Sequence, residues 1–148
     1  MSATKTEILF FKEKVRFVLR DKSKIPSWLI AIAKKHKKKI VSLNYIFVTD
    51  NILLEMNKKY LNHNTLTDII TFDYCSERKL NSEISGEIFI SLDRITENAE
   101  KFDVNFRDEL HSVMAHGLLH LCGFKDKSKK DQKTMRSQEE NALDLRQF

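Results

Sequence analysis

The stretch that most constrains this chain is His116-Gly117-Leu118-Leu119-His120-Leu121-Cys122-Gly123-Phe124-Lys125-Asp126. Histidines four residues apart on a helix project from one face, about one turn or about 6 Å apart along the axis, so both imidazoles reach one ion. Gly123 follows where such a helix would stop, because glycine takes up the left-handed conformation that turns the chain back. The reversal brings Asp126 toward the same point as a carboxylate donor. Two nitrogens and one oxygen leave a fourth tetrahedral position for water, the arrangement of a catalytic rather than a structural zinc site. The rest of the chain is then a holder for this helix.

On a helical wheel, Leu110, Met114, Gly117, Leu118 and Leu121 form one apolar stripe, the face expected to meet a core. Glu109, Val113, His116 and His120 fall on the adjoining stripe. A helix with one flank buried and its histidines on the next lines a cleft, and Gly117 between the stripes permits close backbone approach.

A chain of 148 residues is large enough for one domain with its own core, and 32% charged against 41% apolar residues describe a globular protein. The longest apolar run considered, Trp28 to Ala33, is far short of a membrane span, and no secretory h-region opens the sequence, so the expected location is the cytoplasm. Cys75 and Cys122 stand in no paired zinc or redox spacing and read as reduced, packed thiols.

Charge is unevenly placed. Residues 1 to 44 hold twelve Lys or Arg against Glu7, Glu13 and Asp21, a balance of +9, while the remainder carries −4. The densest point is Lys34-Lys35-His36-Lys37-Lys38-Lys39; a second cluster, Lys125, Lys127, Lys129, Lys130 and Lys133, surrounds the third proposed ligand. Beside a catalytic-type metal, such clusters fit a polyanionic substrate, since lysines that neutralise phosphates release counterions.

The element pattern predicts strands at Glu7–Phe11, Val41–Thr49, Asp68–Tyr74 and Gly86–Ser91. Between and after them it predicts a helix from Pro26 to about Lys38, one capped by Asp50, one capped by Ser91, the histidine helix capped by Asn105, and a last one from Ser128 to about Leu145. Residues 75 to 85 read as a polar loop. Four strands and about five helices make one α+β domain over 1–148, a mixed sheet with the metal helix against it and the first two strands parallel.

From about Leu43 to Glu140 the chain resembles the YbeY family of bacterial endoribonucleases and rRNA maturation factors. The resemblance runs through Asn57-Lys58-Lys59-Tyr60, Thr67-Asp68-Ile69-Ile70-Thr71-Phe72, Gly86-Glu87-Ile88-Phe89-Ile90-Ser91 and His116 to Phe124. It implies a metal-dependent, single-strand-specific endoribonuclease working on the 3′ end of 16S rRNA in the cytoplasm, with the small ribosomal subunit and ribosomal proteins as partners and no membrane. It also implies one zinc ion held by His116, His120 and, where the family has a third histidine, Asp126, the two histidines being the catalytic pair. The family often carries an arginine after the tyrosine matched by Tyr60, where this chain has Leu61. Lys58, Lys59 and His63 are the nearby cations that would approach phosphate instead, with Lys125 and Lys127 across the turn. Two other readings compete. A zinc peptidase shares the ligand spacing but needs a glutamate where Gly117 stands, leaving Glu109 as a substitute base. A non-catalytic RNA-binding ribosome-assembly factor would use the basic N-terminal half and a structural metal.

Overall fold

The computed structural model describes residues 5–62, 65–75 and 82–148. Within these, the order is β1 (Glu7–Lys12), α1 (Ile25–Lys35), β2 (Lys39–Val48), α2 (Asp50–Leu61), β3 (Ile69–Asp73), β4 (Glu83–Ser91), α3 (Leu92–Lys101), α4 (Phe106–Leu121) and α5 (Lys129–Asp144). One mixed sheet has the order β1-β2-β4-β3, with β1, β2 and β4 parallel and β3 antiparallel to β4. The expected α+β class, four strands, five helices and parallel β1/β2 pair are all present.

Side-chain alternation along the strands builds two cores. Leu43, Tyr45 and Phe47 of β2, with Ile84, Ile88 and Ile90 of β4, face the larger core, which α1, α3, α4 and α5 complete through Leu29, Ile95, Met114, Leu118 and Met135. Ile46, Val48 and Ile70 point the other way and are covered by Leu53 of α2. Strands buried on both faces read as nearly continuous apolar runs, as Tyr45-Ile46-Phe47-Val48 does.

Helix α4 is tied into the larger core at its middle. The fully buried Tyr45 hydroxyl donates to the Met114 carbonyl at 2.8 Å, and burial holds that phenol well above its ordinary range. At Gly117 an added Cβ would lie 2.9 Å from both Ile69 Cδ1 and Ile88 Cδ1, so glycine lets the helix sit this close to β3 and β4 without displacing either side chain. Asn105 caps the start, accepting from the Asp108 N–H at 2.8 Å. The end is a Schellman turn, in which Phe124 N–H donates to Leu119 C=O at 3.1 Å and Gly123 N–H to His120 C=O at 3.0 Å, with Gly123 at φ 108°.

Several boundaries differ from the sequence expectation. Helix α1 stops at Lys35, since Lys37 turns left-handed at φ 60°. Thr49, rather than Asp50, caps α2 by accepting from the Ile52 N–H; the Asp50 carboxylate is taken by the Ser91 hydroxyl at 2.7 Å and by Arg94 at 3.1 Å. Strand β4 begins at Glu83, inside the expected loop, because Glu83 and Ile84 align with Lys39 and Ile40 of β2. Residues 76–81 of that loop lie outside the described residues.

A buried histidine makes the fold pH-sensitive. His111 is 2% exposed and lies against Trp28 and Phe148. Its Nδ1 is 2.9 Å from Arg146 Nη1, and arginine only donates, so Nδ1 accepts and the ring is neutral. Burial, then the Arg146 and Arg107 charges, pull its pKa down to about 4. The unfolded chain protonates this residue near its ordinary value of about 6.5, so the contribution to stability is full above that pH and is lost as pH falls toward 4, roughly 3 kcal/mol in all. Urea titrations with chelator present are expected to show wild type losing more stability than His111→Phe between pH 7 and pH 4.5; equal losses would remove His111 as the cause.

Candidate metal centre

His116 and His120 emerge from the last two turns of α4, and Asp126 returns to them from beyond the Schellman turn. His116 Nε2 and His120 Nε2 are 3.0 Å apart, and Asp126 Oδ2 is 3.3 Å from each. Tetrahedral zinc with donors at about 2.0–2.1 Å holds neighbouring donors about 3.3–3.4 Å apart, so this triangle matches one face of such a site. The chemistry of the donors agrees. His116 Nδ1 lies 2.5 Å from the Glu139 carboxylate, which accepts from it, so the neutral ring presents an Nε2 lone pair toward the other two donors. Three such atoms this close are joined either by a shared proton or by a cation between them. Burial alone would lower the His116 pKa, yet the hydrogen bond to Glu139 and the charges of Glu139, Asp126 and Asp68 outweigh it and raise it. Cys122 is the next potential donor in sequence, but burial pushes its thiol up to about 11 and it stands outside the triangle.

The triangle opens into a cleft of about 1140 Å³ between α4, β3, α5 and the end of α2. Glu109, Val113, His116 and His120 all line it, the stripe expected from the helical wheel, while Leu110, Met114 and Leu118 are in the core. Its floor is acidic. Asp68 is raised by burial, a shift that His116 opposes, and Glu109 is raised by burial and then by Asp68 and Glu139.

The expected substrate-binding cations divide. Lys127 lines the cleft. Lys125 is exposed and does not, Lys58 pairs with Glu55 at 3.7 Å, and Lys59 lies 5.2 Å over the Tyr60 ring. His63 lies outside the described residues. Leu61 faces the cleft as an apolar residue. Sequence reasoning missed Glu139 and Arg136. Both sit on α5, where Arg136, Glu139, Glu140 and Leu143 share a face at helical spacing and all line the cleft, a polar stripe beside the buried Met135 and Ala142.

Fold and site together define a class: a mixed α+β domain whose central helix, with the turn after it, brings together three side chains that could hold a metal ion beside an open cleft. The family model described as Endoribonuclease YbeY matches residues 9–146, and the chain belongs to that family. Proteins named Endoribonuclease YbeY from Cytophaga hutchinsonii and Flavobacterium psychrophilum are 49% and 45% identical to it, covering 95% and 93% of this chain and 96% of each relative. The solution structure of TM1509 from Thermotoga maritima is similar over 93% of this chain and 87% of its own, with a TM-score of 0.63 and 25% identity.

If Glu139 orients His116 toward an ion, Glu139→Gln should weaken zinc binding about 10- to 100-fold in chelator competition while leaving the circular dichroism unchanged. Asp126→Ala should lose stoichiometric zinc; full retention would take Asp126 out of the ligand set.

Proposed function

We propose that this chain is a zinc-dependent endoribonuclease that cuts single-stranded RNA during ribosomal RNA maturation, with His116, His120 and Asp126 as the metal ligands and the two histidines at the reacting centre. The observation that carries the reading is the donor triangle in the wall of an open cleft, in a chain of the Endoribonuclease YbeY family. A zinc ion there would act as a Lewis acid toward a phosphate oxygen or the attacking hydroxyl.

The chain's own residues do the rest. Glu139 fixes the tautomer and orientation of His116. Asp68 and Glu109, whose proton affinity the site raises, face the same space and are the groups to accept the proton of the attacking hydroxyl. Phe102 is 57% exposed on the cleft rim with Lys101 5.6 Å over its ring, a platform for an unpaired base next to a cation. Base stacking of this kind favours single strands over duplex. Precursor 16S rRNA bound to the small subunit is the substrate and setting this reading supports. Among the described residues no helix is long and apolar enough to cross a membrane.

The peptidase reading loses ground at Gly117. A glutamate there would start from a Cβ 2.9 Å from Ile69 and Ile88, directed at the sheet rather than at the metal. The assembly-factor reading keeps one observation in its favour, the apolar Leu61 in the cleft wall.

Zinc-loaded protein is expected to cleave a labelled RNA spanning the 3′ end of 16S rRNA, to spare the same sequence in a duplex, and to lose at least about 10²-fold in rate with His116→Ala, the scale of removing a principal transition-state contact. Product ends identify the nucleophile, a 2′,3′-cyclic phosphate meaning the neighbouring 2′-OH. Peptide cleavage without RNA cleavage would establish the peptidase; normal ribosome binding and processing by His116→Ala would leave only the assembly role.

A further inference from the structure

The cleft poses an electrostatic problem for any phosphodiester. Asp68, Asp73, Glu109, Asp126, Glu139 and Glu140 line it, and the lysine and arginine side chains lining it, among the described residues, are Lys127 and Arg136. A divalent ion offsets only part of that acidity, so a polyanion must find further positive charge where it enters.

Arg136 is set apart from the other arginines among the described residues. Arg94 is held by Asp50 and Glu97, Arg107 by Asp21 and the Phe148 carbonyl, and Arg146 by Asp108 and His111. Arg16 and Arg20 are exposed and do not line the cleft. Arg136 lines it, is exposed, and has no ion-pair or hydrogen-bond partner among the described residues, although Glu139 and Glu140 follow at i+3 and i+4. Glu139 is engaged by His116, one helical turn along the same face of α5. The helix that orients the metal ligand therefore also presents an uncommitted guanidinium to the cleft.

We propose that Arg136 grips the phosphate being cut. This rests on the endoribonuclease reading and adds to it the residue that sets the phosphate against the metal centre. A guanidinium meets two phosphate oxygens at once through its planar fork, which fixes orientation as well as charge, whereas Lys127 contributes a point charge on a flexible stem. Charge building on the phosphoryl oxygens during cleavage is met by a donor already in place.

The test compares wild type with Arg136→Gln, Arg136→Lys and, as a charge-matched control away from the cleft, Arg16→Gln. Zinc content and thermal midpoint are measured first and are expected to be equal in all four. In single-turnover cleavage of a fluorescein-labelled single-stranded oligoribonucleotide, Arg136→Gln is expected to lower the rate at saturating RNA by about 10²-fold, with Arg136→Lys recovering part of it and Arg16→Gln close to wild type. Anisotropy titrations with a single-stranded DNA of the same sequence give a readout independent of cleavage. There the slope of log affinity against log salt should fall by about 0.7 in Arg136→Gln, the loss of one phosphate contact. A wild type that binds but does not cut would sink the endoribonuclease reading. An unchanged salt slope would overturn the proposal whether or not RNA is cut. A raised KM with kcat intact would move Arg136 to a phosphate remote from the reaction and overturn it equally.

Discussion

Everything at the site depends on how closely α4 lies on the sheet. At Gly117 the backbone of the helix sits where a single methyl would collide with Ile69 and Ile88, and one turn earlier the buried Tyr45 hydroxyl fastens the Met114 carbonyl to β2. Well-packed interiors yield little to added volume, so this seating sets the depth and rotation of the helix. The imidazoles inherit both. With α4 rotated as it is, the glycine face meets the sheet and the histidine face meets the cleft, and α5 brings Glu139 against the outer nitrogen of His116.

Local patterns carried the helix and its donors. The histidine spacing, the glycine after Cys122 and the Asn105 cap each act within a few residues, and each appears in the structure as read. Where two local signals competed, a distant partner decided. Thr49 and Asp50 are both able to cap α2, and the outcome follows from Ser91 and Arg94, more than forty residues away, claiming the aspartate. Strand order was not readable for the same reason, because pairing β2 with β4 joins segments far apart in sequence. The polar start of β4 looked like loop, since Glu83 and Ser85 carry no apolar alternation; backbone pairing with β2 makes it strand.

The residues of α5 were the hardest to read. Its sequence is rich in charge, and Arg136, Glu139 and Glu140 look like an ordinary solvated face until α5 packs on α4 and turns that face to the cleft that His116 and His120 line. The sequence also draws attention to lysines near Tyr60, yet Lys58 lies 3.7 Å from Glu55 and Lys59 lies over the Tyr60 ring, while an exposed guanidinium that lines the cleft, Arg136, comes from α5. Formal charge in a sequence counts groups; which of them remain uncommitted is a property of packing.

The turn at Gly123 divides the three donors between two segments of chain. Two donors belong to α4 and the third to the short strap leading into α5, so an ion bound by all three would staple α4 to the segment that follows it. Because α5 in turn supplies Glu139, filling of this triangle by an ion would be coupled to the docking of the C-terminal helix, and such an ion would tie together the two walls of the groove.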